Sequence, residues 1–332
     1  MALRSLLDPP PASAQARFAD GKVRYLLTVD TEEEFDWNKP LVREGYGLDH
    51  VSRLRKFQEF CENLDVVPIY LVDWPIATSE LAGEILRGPI AAGKAEVGVQ
   101  LHPWVNPPFT EEVTQANSFA GNLPFALEAD KFARLRDRIE QQFGTAPLIY
   151  RAGRYGLGPR TAEILQHNGI AIDTSVRAKF DYSASGGPDY RHHPLHPYWL
   201  DDTHSLLELP LTTTFWGLLR QLGDAIYPRL WREPRARGVL SRLGLLERIP
   251  LTPEGVSVEE AIRGIDMALD ARLPVLIFSF HSPSLNPGHT PYVQSEEDLD
   301  RLYDWWRRVF AYCDLRGAHA SSVADIMASV AR

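Results

Sequence analysis

The chain has 332 residues, 44% of them hydrophobic and 24% charged, an ordinary composition for a globular protein with a sizeable core. Its formal net charge of -9 argues against nucleic-acid binding, which requires a basic surface. No stretch approaches the roughly 20 consecutive apolar residues of a membrane span, and the first residues lack the apolar run of a signal peptide, so we expect a cytoplasmic protein without a transmembrane segment.

The first 22 residues include three consecutive prolines and show no periodic pattern, so we predict a flexible N-terminal arm over 1–22. From residue 23 to residue 332, short apolar runs alternate with helix-like segments, and this alternation indicates a single domain. The predicted strands are 23–29, 66–72, 96–101, 147–150, 170–172, 206–209 and 274–280.

Helical patterns fill most of the gaps between these strands. Gly144 lies where a helix commonly ends, directly after an apolar stripe formed by Phe132, Leu135, Ile139 and Phe143. Ser295 can cap a later helix, whose stripe is Leu299, Leu302, Trp306, Val309 and Phe310. The two cysteines, Cys61 and Cys313, fall in such segments, so we predict buried free thiols rather than a disulfide.

Several predicted strands are apolar almost throughout, which is typical of strands buried on both faces and joined by helical crossovers. Seven such strands over this length favour an α/β fold whose sheet curls into a (β/α) barrel. A doubly wound open sheet is the competing architecture.

Nearly every predicted strand ends on a polar, mostly ionisable residue. In barrel enzymes the carboxyl ends of the strands carry the chemistry, whichever strand supplies each group. One such residue alone is more often a helix cap, but their convergence predicts a site at this mouth. They are Asp30, Asp73, His102, Arg151, Asp173, Glu208 and His281.

Four segments carry the chemistry. Asp30 and Glu32 lie at the end of the first strand. Two carboxyl groups so near each other can have different roles, one binding a metal and one acting as a base. The alternative interpretation is an acid-rich start of a helix or loop. In the second segment Gln100 and His102 lie on the same face of a strand, which the following prolines end. A single histidine there is a weak metal signal and more often a hydrogen-bonded imidazole.

The third segment places Arg151 and Arg154 between glycines at a strand end, where a guanidinium can approach a carboxylate or a ligand. A tight turn with surface arginines is the alternative. In the fourth segment an apolar strand ends on His281, which can act as a general acid near neutral pH.

Together these segments resemble the NodB or carbohydrate esterase family 4 deacetylases, and more narrowly the subgroup associated with lipopolysaccharide and exopolysaccharide synthesis. The resemblance runs from about residue 23 to the C-terminus. The sequences that carry it are TVDTEEEFDW, LHPWVNPP, RAGRYGLG, DTSVRA, GGPDY, LTPEG and FHSPSLNPGHTPYV. It implies a distorted, partly open (β/α)7-type barrel.

The resemblance also implies roles for individual residues. Asp30 corresponds to the catalytic base, Arg151 to the arginine that orients it, and His281 to the histidine that protonates the leaving amine. Asp173 lies where the family keeps a residue that supports this histidine. Candidate substrate contacts are Trp104, Arg154, Tyr155 and Ser282, with Trp37 and Trp74 as further surfaces for stacking a sugar ring.

The metal motif departs from the family pattern. The family's acidic ligand usually follows the base directly, where this chain has Thr31, so a variant spacing would give that role to Glu32. The paired histidines of the family correspond to Gln100 and Trp104, with His102 between them. One interpretation is a divalent cation, zinc for these donors, held by Glu32 and His102 with Gln100 as a weak third ligand. The other is a metal-free site, as in allantoinase-like members of the fold.

The resemblance predicts metal-assisted removal of the N-acetyl group from an N-acetylhexosamine unit in a polysaccharide or sugar-lipid intermediate. Three alternatives stay open: a metal-free amidohydrolase, an inactive carbohydrate-binding relative, and a glycosidase with paired carboxylates such as Asp30 and Glu208. A helical insertion over about 214–248, with arginines at 229, 232, 235 and 237, does not follow the barrel pattern. We interpret it as a lid, a dimer contact or a surface for a lipid-linked sugar at the membrane face.

Overall fold

The computed structural model describes residues 3–35, 39–230 and 233–331. The strands in these ranges are β1 (Val23–Thr31), β2 (Pro68–Val72), β3 (Glu96–Leu101), β4 (Ile149–Ala152), β5 (Ile172–Asp173), β6 (Tyr198–Trp199), β7 (Leu207–Glu208), β8 (Thr213–Trp216), β9 (Glu247–Pro250), β10 (Val275–His281) and β11 (Ala318–Ala320).

The α-helices alternate with most of these strands. They are α1 (Leu54–Glu62), α2 (Trp74–Thr78), α3 (Glu80–Ala91), α4 (Phe125–Phe143), α5 (Thr161–His167), α6 (Gly223–Ile226), α7 (Pro234–Arg242), α8 (Val258–Asp270), α9 (Glu296–Leu315) and α10 (Val323–Ser329). None of the helices among the described residues has the length and apolar character needed to cross a membrane.

The main sheet has the strand order β10-β1-β2-β3-β4-β5-β7-β6, with β11 pairing on β1. All of these pairs are parallel except β6 with β7. From β1 to β5 the order follows the chain, β7 precedes β6 at one edge, and β10 returns beside β1 at the other, so the sheet curls as a half-open barrel. The prediction of a partly open (β/α) barrel is therefore confirmed, and the doubly wound sheet is excluded.

Side chains alternate along the central strand β1 and face two different cores. Leu27 and Val29 pack in the layer between the sheet and its helices, whereas Leu26 belongs to a smaller cluster inside the barrel. Asp30 follows Leu26 at an even spacing, so it faces the barrel interior at the carboxyl end of the strand. Asp30 is paired in register with His281 of β10.

The edges of the main sheet are β10 and β6, and the chain that follows β7 and β9 bonds to β10. The strands β8 and β9 form a separate antiparallel hairpin. Next to it, the Leu251 amide donates to the Thr212 carbonyl at 3.2 Å, and the Ser279 amide of β10 donates to the Leu251 carbonyl at 3.2 Å. The hairpin base is thus bonded directly to β10.

Local signals in the sequence explain where the long helices begin and end. Gly144 ends α4 in the left-handed conformation, with φ of 74°, a backbone geometry that glycine adopts without strain. Ser295 begins α9 and Ser257 begins α8, each through a reciprocal capping box with the residue three positions on. Cys61 and Cys313 are buried free thiols, as predicted.

The segment ahead of β1 is packed, whereas the sequence led us to expect a flexible arm. Leu6 is fully buried, and the Arg4 amide donates to the Leu200 carbonyl at 2.9 Å. Gln15 forms a β-bridge with Tyr198 and Phe18 forms one with Val330. These contacts attach the segment to the barrel beside β6.

The predicted insertion at about 214–248 corresponds to the β8–β9 hairpin and the short helices between its strands, α6 and α7 among them. Its exposed apolar side chains are Leu218, Leu222, Val239 and Leu243. Trp231 and Arg232, which the sequence analysis placed in this insertion, lie outside the described residues.

Candidate active site

A cavity of about 680 Å³ opens at the carboxyl ends of the barrel strands. Its wall includes strand-end residues from β1, β3, β4 and β10, together with side chains of the loops that follow them. The polar lining residues on which the chemistry depends are Asp30, Glu32, Gln100, His102, Arg151, Arg154, Tyr155, Arg177, Tyr182, Glu254, His281 and Tyr292. Four of the seven predicted strand-end residues therefore meet in one cavity: Asp30, His102, Arg151 and His281.

Asp30 is held by Arg151. The Nη1 atom of Arg151 donates to Asp30 Oδ1 at 2.5 Å, while Nη2 donates to the Thr28 hydroxyl at 2.9 Å and Nε to the Thr174 carbonyl at 3.1 Å. Both side chains are almost fully buried. The guanidinium is fixed on three sides, so it holds one carboxylate oxygen of Asp30 and leaves Oδ2 toward the cavity.

His281 lies between two carboxylates. Its Nδ1 is 2.7 Å from Glu254 Oε2, and its Nε2 is 3.8 Å from Asp30 Oδ2. Burial alone would lower the pKa of His281, but the negative charges of Glu254, Glu32 and Asp30 together raise it to about 10. The imidazole is therefore protonated at neutral pH, and its Nε2–H faces Asp30.

His102 has the opposite protonation. Burial lowers its pKa to about 4, so the imidazole is neutral at neutral pH. Its Nδ1 is 2.8 Å from Glu33 Oε2, which leaves Nε2 toward the cavity at 3.4 Å from Glu32 Oε2. Burial also raises the pKa of Glu32 well above its usual range, and the charges of Glu33 and Asp30 add to this shift.

Glu33 fixes the orientation of His102. Its second carboxylate oxygen accepts a hydrogen bond from the Trp104 indole at 2.7 Å, and that indole stacks on the His102 ring with centroids 4.3 Å apart. Burial raises the pKa of Glu33 to about 7 and that of the adjacent Asp73 well above its usual range. The backbone of Gly153 completes this packing, since a Cβ there would lie 2.3 Å from His102 Cδ2.

Glu32, His102 and Gln100 fit a divalent cation. Two zinc ligands bound at about 2.1 Å in tetrahedral geometry lie roughly 3.4 Å apart, which is the separation of Glu32 Oε2 and His102 Nε2. Gln100 Oε1 is buried with no hydrogen-bond partner among the described residues. A metal-binding histidine usually donates its other ring nitrogen to a carboxylate, as His102 does to Glu33.

Two other groups of histidine and carboxylate ligands lie within 4.8 Å of one another, Glu33–Asp73–His102 and Glu34–Asp49–His289. The first uses His102 Nδ1, which is already bonded to Glu33. In the second, Glu34 Oε1 is bonded to both the backbone amide and Nδ1 of His50. Apart from His102, no member of either group lines the cavity.

The predicted substrate contacts divide into two pairs. Arg154 and Tyr155 line the cavity. Trp104 does not line it, because its ring is buried against His102. Ser282 is also buried, and its hydroxyl contacts His50 Nε2 at 2.9 Å. Trp104 and Ser282 therefore contact His102 and His50 behind the cavity wall, and in this conformation their side chains do not reach a substrate in the cavity.

Of the two further candidates, Trp74 does not line the cavity. Trp74 packs partly buried against the main core. Trp37 lies outside the described residues.

Asp173 does not support His281, in contrast to the role that the resemblance implied. Its carboxylate accepts hydrogen bonds from the hydroxyl and amide of Ser175, at 2.6 and 3.2 Å. Asp173 adjoins Glu208, and burial raises the pKa of both carboxyl groups. Neither residue lines the cavity, because the short strands β5 and β7 turn them into the protein interior.

The residue that does support His281 is Glu254, to which the sequence analysis assigned no role. It lies in the loop between β9 and α8, within the sequence LTPEG. Glu33 was also missed, although it stands beside Glu32 in the acidic run after β1. The available signal for both was an acidic residue inside a segment that already carried the family resemblance.

No protein-family profile and no curated protein sequence matches this chain. Solved structures do. A provisionally named glycoside hydrolase/deacetylase from Parabacteroides distasonis matches 91% of this chain and 69% of its own, with TM-score 0.60 and 11% identity. PuuE allantoinase matches 99% of this chain and 97% of its own, with TM-score 0.53 and 12% identity.

A provisionally named polysaccharide deacetylase from Mycobacterium smegmatis matches 96% of this chain and 93% of its own, with TM-score 0.49 and 18% identity. The two matches with TM-scores of 0.60 and 0.53 show that the chain shares the distorted, partly open (β/α) barrel fold of those proteins. At these identities they establish the fold and not the reaction.

Proposed function

We propose that this protein hydrolyses the N-acetyl group of an N-acetylhexosamine unit in a polysaccharide or lipid-linked oligosaccharide. The observation that carries the proposal is the facing pair of Asp30 and His281, 3.8 Å apart, each held by its own counter-charge in one cavity. The family resemblance of the sequence supports it, as do the deacetylase and allantoinase names of proteins that share the fold.

In this mechanism Asp30 is the base. Its Oδ2 accepts a proton from a water molecule, whose oxygen attacks the acetamide carbonyl carbon. Arg151 keeps the carboxylate in position through Oδ1, so the proton is taken up at the oxygen that faces the cavity.

His281 is the acid. Since its pKa is about 10, it carries a proton at neutral pH that it can give to the amine as the C–N bond breaks. Acetate and the free amino sugar leave, and the proton on Asp30 returns to solvent or to His281. Glu254 stabilises the imidazolium before transfer and orients its ring afterwards.

Glu32 and His102, with Gln100, are the residues that would hold a divalent cation, zinc for this donor set. When bound, such an ion would polarise the acetamide carbonyl and lower the pKa of the attacking water. The protein's own contribution is to present a neutral His102 nitrogen, fixed by Glu33, beside a carboxyl group that burial makes costly to ionise without a cation.

The insertion supplies a second contact for a lipid-linked substrate in this proposal. Its exposed apolar residues include Leu218, 79% exposed, and Leu243, 64% exposed. Arg229, Arg235 and Arg237 belong to the same segment, so apolar and basic groups lie together as in interfacial helices. Flotation with liposomes containing anionic lipid tests the contact, and absence of the protein from the floated fraction at low salt would rule it out.

The test of the reaction is acetate release from N-acetylchitooligosaccharides and from polyprenyl-pyrophosphate-linked N-acetylglucosamine. Metal content is measured on the same purified protein. We expect release that Asp30→Asn and His281→Asn each reduce at least 100-fold. The exposed Asp314→Asn and His319→Asn are matched controls and should leave release unchanged.

The outcomes separate the candidates. Acetate release that a chelator abolishes and zinc restores establishes a metal-assisted deacetylase. Acetate release by metal-free protein supports deacetylation without a cation, carried out by the protein's own residues. If no N-acetylated sugar releases acetate, the proposal fails, and shortening of an oligosaccharide would identify a glycosidase instead.

A further inference from the structure

Two arginines on the cavity wall come from other strands than the acidic groups of the site. Arg154 follows β4 and Arg177 follows β5, whereas the acidic groups Asp30, Glu32 and Glu254 come from β1 and from the loop bonded to β10. In the strand order two strands lie between β1 and β4, and three lie between β1 and β5. Besides the Arg151–Asp30 pair, the cavity wall thus carries two arginines that follow β4 and β5.

Arg154 is held by neutral groups. Its guanidinium donates to the Ser118 hydroxyl and lies over the Phe119 ring, 4.5 Å from the centroid. Burial lowers the pKa of Arg154, and the group that opposes this shift is the Tyr182 hydroxyl. No carboxylate lies within 4.0 Å of it among the described residues.

Arg177 is likewise placed among aromatic rings. It lies 4.0 Å from the Phe180 centroid and 5.0 Å from that of Tyr155, and its Nη1 donates to the Tyr182 hydroxyl at 3.0 Å. In the described part of the chain this guanidinium too has no carboxylate within 4.0 Å. A guanidinium has five N–H donors in a fixed fork, so most of the donors of Arg177 remain for a ligand.

Arg151, in contrast, shows that not every arginine of the cavity lacks a carboxylate partner. Arg151 is paired with Asp30 and bonded on three sides, so its charge and its donors are used within the protein. Arg154 and Arg177 bring positive charge to the same cavity without such a partner. Partly buried cations of this kind are costly unless an anion joins them.

The backbone carries strain at this place. Arg154 has φ of 54° and Tyr155 has φ of 59°, two successive residues other than glycine in the left-handed region. The Tyr190 hydroxyl donates to the Tyr155 carbonyl at 2.6 Å and holds this turn. The strained turn directs both side chains to the cavity wall, where Tyr155 stacks on Tyr182 with centroids 5.5 Å apart.

We infer that Arg154 and Arg177 form an oxyanion subsite, and that the substrate carries a carboxylate or phosphate group near the N-acetylated unit. The inference rests on the proposed function for the acetamide end of the substrate and adds the substrate class. A planar carboxylate or a phosphate accepts two parallel hydrogen bonds from a guanidinium, which a neutral hydroxyl of a sugar cannot do with comparable strength. The Phe119 ring restricts Arg154, and the Tyr155 and Phe180 rings restrict Arg177, so little conformational entropy is lost on binding.

The experiment compares three probes: N-acetylchitotetraose, which is neutral, a hyaluronan tetrasaccharide, which carries carboxylates, and N-acetylglucosamine 6-phosphate. Binding is measured by calorimetry and acetate release is measured in parallel. We expect at least one anionic probe to bind 10-fold or more tightly than the neutral one, and the better anion identifies the class. Its affinity should fall several-fold when salt is raised from 50 to 500 mM, because added ions screen the interaction.

Arg177→Gln and Arg154→Gln should each remove most of this preference, with a 10-fold to 100-fold weaker binding of the anionic probe and little change for the neutral one. Arg177→Lys should restore part of the preference for the anionic probe, because lysine has the positive charge but not the paired donors of a guanidinium. Arg160→Gln is the matched control, since Arg160 is exposed and pairs with Glu163 outside the cavity. Thermal unfolding of each variant identifies any that fails to fold, and the salt dependence of the unmodified protein tests the inference without a variant.

The two proposals can fail separately. Equal binding of neutral and anionic probes, or a preference that survives both glutamine variants in folded protein, overturns the subsite while deacetylation stands or falls on acetate release. An arginine-dependent preference without acetate release from any probe supports the subsite and overturns the deacetylase.

Discussion

The Nδ1 atom of His281 lies 2.7 Å from Glu254 Oε2, and the other oxygen of that carboxylate accepts the backbone amide of His281 at 3.1 Å. The same oxygen also accepts the Ser284 hydroxyl at 2.7 Å. Glu254 is thus fixed by three donors from β10 and the turn after it. Glu254 therefore both orients the His281 ring and stabilises its positive charge.

Glu254→Gln is expected to move the alkaline limb of the pH–activity profile to lower pH. Glu254 is the largest of the charges that raise the pKa of His281 to about 10, and a neutral glutamine removes it. His281 acts while protonated, so activity is lost as pH rises through its pKa, and a lower pKa brings that loss closer to neutral pH. We expect a shift of the order of one pH unit or more and a fall in kcat of about 10-fold to 100-fold at pH 8.

The control for this variant is Glu259→Gln, which removes an exposed carboxylate paired with Arg308 on the neighbouring helices. Its pH profile should overlay that of the unmodified protein. An unchanged alkaline limb in Glu254→Gln would show that His281 is not the acid.

Gly153→Ala is expected to damage the site through His102. An added Cβ would lie 2.3 Å from His102 Cδ2 and 2.5 Å from the Leu101 carbonyl, and the backbone cannot yield as a flexible side chain would. We expect the free energy of unfolding to fall by about 1–3 kcal/mol and acetate release to fall at least 10-fold, as measured by urea denaturation and by assay of the folded fraction.

Gly88→Ala provides the comparison, because it lies within α3 and an added Cβ there meets nothing within 4 Å. It should raise the free energy of unfolding by about 0.5–1 kcal/mol and leave activity unchanged. Full activity of Gly153→Ala would mean that the position of His102 is irrelevant to the reaction.

Trp104→Phe is expected to weaken cation binding and to leave sugar binding unaltered. The phenyl ring preserves stacking on His102 but removes the N–H donor to Glu33, so the carboxylate that orients His102 loses a partner. We expect zinc affinity to fall about 10-fold to 100-fold in competition with a chelator. Binding of N-acetylchitotetraose to metal-free protein should stay within about twofold, because the Trp104 side chain does not line the cavity.

Trp199→Phe is the matched control for loss of an indole, since Trp199 lies on β6 and its Nε1 has no hydrogen-bond partner among the described residues. A large loss of sugar affinity in Trp104→Phe, with zinc affinity intact, would restore the stacking role that the sequence suggested.

Glu208→Gln is expected to keep activity and to change how stability depends on pH. Burial raises the pKa of Glu208 well above its usual range, so the folded protein keeps a proton that the unfolded chain releases above about pH 4.3. The stability that this group contributes is full below that pH and falls as pH rises toward its folded pKa. Glutamine cannot ionise, so the variant should be about 1–2 kcal/mol more stable than the unmodified protein at pH 9 and no more stable at pH 5.

Denaturation at the two pH values measures this difference, and acetate release should stay within about twofold. Loss of acetate release in the folded variant would show that Glu208 takes part in the reaction although it does not line the cavity.

The fold could be predicted from the sequence because buried parallel strands produce continuous apolar runs. The predicted strand 96–101 has the observed bounds of β3, and the others differ by a few residues at their ends. The caps at Gly144 and Ser295 are local features, determined by residues three or four positions away. Nothing local revealed that the first segment of the chain packs on β6.

The site was predictable only in part. Strand alternation and the parallel sheet bring Asp30, Arg151 and His281 together, because the ends of neighbouring parallel strands coincide. Strand ends do not all face the cavity: Asp73 caps α2 through the Ile76 amide, and Asp173 turns inward.

Glu254 could not be located from the strand pattern at all. Its position depends on how a loop after a hairpin returns to β10, which no periodicity encodes. Asp173 was given the supporting role by correspondence with the family, and in this chain a carboxylate from another part of the sequence has that role.

The loop that carries Glu254 begins with Leu251, which is bonded to both Thr212 and β10. The bonds that join this loop to β10 therefore also place Glu254 beside His281, where its charge keeps the imidazole protonated. The hairpin ends are therefore an unsuitable place to graft a foreign domain or to cut the chain, even though the insertion beyond them looks dispensable. A shortened protein that joins Trp216 to Glu247 with a tight turn would keep the bonds of Leu251 to Thr212 and to β10, whereas a deletion that also removed Leu251 would lose the bonds that place Glu254 beside His281.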